Sequence, residues 1–247
     1  MFAGIFSYFK ALQLIAKERL WQYLFLPGLI SLLLAISIGV AVWQFSGSLG
    51  DWILGWIPSS WQIDLIAGGA SWVAGILILI FGVIIYKHLV MIAVSPFMGA
   101  LSAKVETALV GDRLSVPALS GWKSFMRGLR IALRSIFWEM LLVLILVMLS
   151  FIPVLTLFTT IAIFLVQAYY AGVGNMDATL ERHLNFRGSV RFSRRNWGLA
   201  VGNGAIFLLL LATIVGFFFA APLATVASTI EVTKRLDRGS SAGADLV

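Results

Sequence analysis

Formal charges divide the 247-residue chain into long uncharged runs: Leu20 to Gly50, Leu65 to Tyr86, His88 to Ala103, Met140 to Met176 and Asn196 to Ile230. A bilayer hydrocarbon core of about 30 Å takes about 20 helical residues at about 1.5 Å each. The first two runs therefore each predict one transmembrane helix. Trp21 and Tyr23 at one end and Trp43 at the other bracket the first span, where amphipathic rings sit at membrane interfaces. Trp52, Trp56, Trp61 and Trp72 extend that belt beside the second. Ahead of both, Phe2 to Ala16 reads as an amphipathic interfacial helix with Lys10 and Lys17 reaching the headgroups. It lacks the order of a signal peptide, since Lys10, Lys17 and Arg19 follow its apolar residues.

Sidedness follows from the basic residues. The segment "FSGSLGDWILGWIPSSWQID" between the two spans holds Asp51 and Asp64 but none of the 18 Lys and Arg. Every later polar segment is basic, so the positive-inside rule places this loop outside and both termini in the cytoplasm. The 37 uncharged residues from Met140 to Met176 must then leave and regain the same side. Two full spans and a turn need about 42–45 residues, whereas one span would end on the wrong side. A re-entrant or half-penetrating hairpin fits, turning near Pro153 in "LSFIPVLTLF", because proline lacks a backbone donor and disfavours helix at the residue before it. The 35 residues from Asn196 to Ile230 repeat the argument, with Pro222 as the turn. Two short, tilted spans in thinned bilayer would give the same charge distribution. A re-entrant turn must be buried in protein or line a wet cavity, since unpaired backbone groups facing lipid cost several kcal/mol each.

Composition agrees: 60% hydrophobic and 12% charged residues, with mean hydropathy +0.98, exclude an ordinary soluble protein. The fold class is an all-α integral membrane protein, with two full transmembrane helices, two half-penetrating hairpins and amphipathic interfacial helices. One membrane domain should occupy residues 1–236, with a flexible tail over 237–247. The net charge of +7 belongs to residues flanking apolar runs, which points to topology and anionic lipids rather than nucleic acid. The absence of cysteine excludes disulfides and thiolate metal sites. His88 and His183 are isolated in sequence and form no metal-binding spacing, so no metal or other cofactor is expected. No nucleophile elbow, zinc-protease motif or nucleotide fingerprint supports an enzyme.

The candidate chemistry is cationic. In "GWKSFMRGLRIALRSIFWEM", Lys123, Arg127, Arg130 and Arg134 share one helical stripe, opposite Met126, Leu129, Leu133, Ile136 and Phe137. One reading is an interfacial helix holding lipid phosphates. The other is an anion funnel, because guanidinium groups match tetrahedral oxyanions and stay charged. Lys104 and Glu106 lie just upstream, and a carboxylate such as Glu106 or Glu139 competing for the arginines would aid anion release. Either could instead be a solvated partner of Lys104 or Arg134. The later cluster "ERHLNFRGSVRFSRRN" is topological or forms an anion vestibule, and Gly198 and Gly202 mark a small-residue packing surface.

The order and spacing of "AVSPFMGALSAKVETALVGD", "LSFIPVLTLF", "GNMDATLERH" and "FFFAAPLATVAS" resemble the bacterial CysZ family of inner-membrane sulfate permeases, which shares a domain with a eukaryotic endoplasmic-reticulum branch. The resemblance runs to about Leu236. It implies two long transmembrane helices with pairs of half-penetrating helices, assembly into dimers or larger oligomers, and sodium-independent sulfate movement supplying cysteine synthesis. Sulfate-binding members carry a Gly-hydrophobic-Arg motif shortly before the proline of the first span. Here "KERLWQYLFLP" displaces Arg19 and puts Trp21 and Gln22 at the arginine positions before Pro27.

Overall fold

The computed structural model describes residues 1–55, 70–111, 116, 119–213 and 216–244. Helix α1 (Phe2–Lys17) meets α2 (Trp21–Gly55) at a bend of 118°. Arg19 makes that bend with φ of 51°, the left-handed region that non-glycine residues seldom adopt. Then follow α3 (Ala70–Val110), α4 (Gly121–Ser150), α5 (Thr156–His183), α6 (Phe186–Arg195), α7 (Trp197–Leu211) and α8 (Gly216–Ala244). Among the described residues, three helical stretches are long and apolar enough to cross a membrane, or up to four if the bent α1–α2 pair is one span. The expected loop through Trp56, Trp61 and Asp64, and the expected start of the second span at Leu65, lie outside the described residues.

Helices α4 and α5 form the first hairpin. Its tip is a short 3-10 turn, Pro153–Leu155, as expected for a proline whose fixed φ suits the first position of a turn. The second hairpin corrects the sequence reading. Its break follows Leu211, where the Thr213 hydroxyl accepts from the Gly216 N–H at 3.0 Å, and Pro222 lies inside α8. Proline there is tolerated because only the bond to Phe218 C=O, four residues back, is forfeited. That carbonyl packs on Gly28 of α2, where a Cβ would come within 2.5 Å of it. Helix α8 extends to Ala244, into the segment expected to be a tail, with no proline after Pro222 to stop it.

At 15 residues, α7 spans about 22 Å, less than a hydrocarbon core, whereas Gly121–Ser150 and Pro153–His183 are each long and apolar enough to cross one, unlike the half-penetrating arms expected of the first hairpin. Small residues let α7 sit close to its neighbours. A Cβ on Gly204 would collide with the Ala168 carbonyl of α5, and one on Gly172 with the Ala200 carbonyl of α7. The Gly198 and Gly202 surface read from the sequence receives α1: Gly202 abuts Met1, while Gly4 abuts the Leu199 carbonyl. Tyr8 of α1 donates to the Asn203 carbonyl at 2.8 Å. The opposite face of α1 leaves Phe2, Phe6 and Phe9 exposed, an apolar surface suited to lipid.

Candidate functional site

Three ion-pair clusters lie between the helices. In the first, Glu139 of α4 is fully buried and receives Lys87 and His88 from α3, with His88 Nε2 at 2.9 Å from Oε2. Lys87 also donates to the Gln167 carbonyl of α5 at 3.0 Å. Neighbours on one helix reach the two oxygens of one carboxylate. Lys87 is thus no rim marker dividing two apolar runs: α3 continues straight through it, its charge compensated by Glu139.

The second cluster centres on Glu106 of α3, at 2.7 Å from Arg182 Nη1 and 2.8 Å from His183 Nε2 at the end of α5. Arg182 Nη2 donates to Ser102 at 2.7 Å, and Ser102, Thr179 and Thr229 continue the chain at 2.9 Å per step. Glu106 is therefore held by Arg182 and His183, not by Lys104, the partner that proximity in sequence suggests. Lys104 faces outward, 5.2 Å from the centre of the Tyr23 ring. Two residues apart on a helix point to nearly opposite sides.

In the third cluster Arg127 grips Asp177 through Nε at 3.1 Å and Nη2 at 3.0 Å, a bidentate fork. Its other donors reach the Leu184 carbonyl at 2.8 Å and Ser189 of α6 at 2.6 Å. One turn along α5, Glu181 accepts from Ser124 at 2.9 Å. Gly99 makes room for that carboxylate.

A buried cavity of about 40 Å³ joins the first and third clusters, with His88, Ser124, Ser135, Asn175, Asp177 and Glu181 in its wall. The Ser135 hydroxyl is buried there without a hydrogen-bond partner among the described residues. Such a space has room for a water or two beside its few polar side chains, while most of its wall is apolar.

Of the residues singled out in the sequence, Arg127, Glu106 and Glu139 enter these clusters. Lys123, Arg130, Lys104 and Arg19 face outward. Arg134 is half-buried beside Tyr169 and Tyr170, where Arg194 of α6 also exerts its charge. The stripe is therefore split, and Met126 lies in the same groove wall as Lys123 and Arg130 rather than opposite them. Arg127 is sequestered, Arg130 sits 5.9 Å from the Phe186 ring, and neither Arg130 nor Arg134 has an ion-pair partner among the described residues. Sequence reasoning missed Lys87, Ser102 and Asp177, took His88 and His183 as isolated, and read Glu181 and Arg182 as part of a polar connection rather than as interior partners. The available signal was a charge inside an otherwise apolar stretch, which needs an opposite charge somewhere in the bundle. Near Pro27, Trp21 joins Phe25, Phe218 and Phe219 around an open aromatic groove with no cation in its lining among the described residues. Among the described residues no three His, Asp or Glu converge as a metal site would require.

Helices of this length and apolarity, enclosing paired charges between them, define a multi-pass membrane protein of all-α class. Residues 7–223 match the family model described as Sulfate transporter CysZ/Etoposide-induced protein 2.4, and the chain belongs to that family. No curated protein matches it.

Proposed function

We propose that this protein is a passive, channel-like permease for a sulfate-type oxyanion in a bacterial inner membrane, working as a homo-oligomer and supplying sulfur for cysteine synthesis. Family membership supports transport of a sulfate-type anion. The observation that carries the site is the position of Arg127: it faces a groove on the protein surface, while its bidentate partner Asp177 faces the buried cavity. A dianion that takes Asp177's place on Arg127 passes from one to the other.

Arg134 and the exposed arginines of α6 (Arg187, Arg191, Arg194 and Arg195) raise the local anion concentration beside this pair. Asp177 and Glu181 line the cavity, so an anion that leaves Arg127 meets carboxylates that oppose its retention. Glu106 moderates at one remove, by fixing Arg182 beside Glu181. The aromatic lining at Trp21 supports a capture site away from Pro27.

Sulfate uptake into proteoliposomes tests this reading, with phosphate and chloride as competitors. Uptake above protein-free vesicles, reduced by cold sulfate more than by chloride, is expected. Equal flux with and without protein, for all three anions, sinks it and leaves a membrane protein that binds lipid or partners through its basic face.

A further inference from the structure

The groove between the starts of α4 and α6 has chemistry that an inorganic anion does not use. It is open, with a volume of about 450 Å³, and its wall alternates cations with apolar side chains: Trp122, Lys123, Met126, Arg130 and Phe186. Arg127, at its back, already has its donors on Asp177, Leu184 and Ser189. Lys123 and Arg130 remain, both exposed and neither with a carboxylate partner among the described residues. The first turn of α4 adds to them. Ser120 caps it with no side-chain bond, so the backbone N–H groups of a 30-residue helix point outward beside Lys123.

The apolar part is continuous with the lipid-facing side of the helix. Met126, Leu133 and Phe137 recur at intervals of seven and four residues and are all exposed, so a stripe leads from the groove along α4. Trp122 is 69% exposed at its head, where an indole ring suits the membrane interface. A hydrated sulfate gains nothing from such a stripe, whereas an amphiphile buries its glycerol and acyl carbons there.

From this we infer that the groove seats the phosphate headgroup of an anionic phospholipid, clamped by Lys123 and Arg130, with its chains along Met126, Leu133 and Phe137. Two cations and a positive helix end favour a headgroup with net negative charge over a zwitterionic one, whose amine they repel. Because the clamp adjoins Arg127, the lipid braces one wall of the ion-pair site. The inference goes beyond the transport reading and does not depend on which ion is moved.

Thermal unfolding of the full chain in detergent tests it, with phosphatidylglycerol, phosphatidylcholine, soluble glycerol phosphate or sodium sulfate added separately. Phosphatidylglycerol should raise the midpoint by several degrees and phosphatidylcholine should not. The Lys123→Gln/Arg130→Gln variant, altered only at exposed positions, should unfold at the wild-type temperature in detergent alone and lose at least about four-fifths of the lipid shift. Three results overturn the inference: equal shifts from both lipids, an unchanged shift in the variant, or an equal shift from glycerol phosphate or sulfate, which would assign the groove to a free oxyanion. A lipid-independent change in oligomeric state in the variant, by light scattering, would instead assign it to a second copy and also overturn it. None of these readouts involves flux, so failure here leaves the transport reading standing.

Discussion

The two hairpins are built on different principles. The α4–α5 hairpin carries Arg127, Glu139, Asp177, Glu181 and Arg182, each buried or half-buried and tied to another helix. The α7–α8 hairpin carries no formal charge before Glu231 and holds its neighbours with small residues and uncharged hydrogen bonds. Asn203 is one such contact, its amide donating to the Ala224 carbonyl at 3.0 Å and accepting from Asn175 at 2.8 Å. Neutral contacts satisfy the backbone and side chains at little desolvation cost, so they suit a scaffold. Buried ion pairs stabilise weakly for what they cost to desolvate, so their concentration between α3 and this hairpin marks where a working part is proposed.

The contrast predicts a graded series in detergent-solubilised protein. Lys87→Met strands Glu139 in the interior and should cost about 3–5 kcal/mol, read as a fall in unfolding temperature. The double variant Lys87→Met/Glu139→Leu should recover most of that loss, since no charge is left unpaired. A double variant no better than the single would mean that the pair itself holds the helices together. In the other hairpin, Gly204→Val should cost about 1–3 kcal/mol by forcing α7 off α5, with no charge-pair partner able to rescue it.

Pro222→Ala should move stability by less than about 1 kcal/mol. The restored N–H can bond the Phe218 carbonyl, but the unfolded chain also gains freedom. A larger loss would return Pro222 to the role of a turn. The smallest effect belongs to Arg19→Gly, which relieves the positive φ between α1 and α2 and should stabilise by at most about 0.5 kcal/mol.

Much of the scaffold was legible because it follows from length and periodicity. The turn at Pro153, the helical arms around it, the amphipathic α1 and the Gly202 contact were all readable from residue spacing. Pro222 misled because a proline's meaning depends on whether its missing donor matters. Here the freed Phe218 carbonyl packs on Gly28, which no local pattern discloses. The site was less legible, because Lys87 and Glu139 are 52 positions apart and Glu106 and Arg182 are 76 apart. Charge counting treats each as a membrane rim. Only the packing of α3 against α4 and α5 turns them into interior pairs, and periodicity along single helices cannot supply that register.

Whether exchange at the Arg127–Asp177 pair passes the anion inward is decided by labelled sulfate uptake in Arg127→Gln and Arg187→Gln proteoliposomes, both checked for intact folding. Arg127→Gln should lose at least about tenfold in initial rate, a barrier change of about 1.4 kcal/mol or more. The exposed Arg187 should matter less than about twofold. Wild-type uptake in folded Arg127→Gln would rule the exchange out.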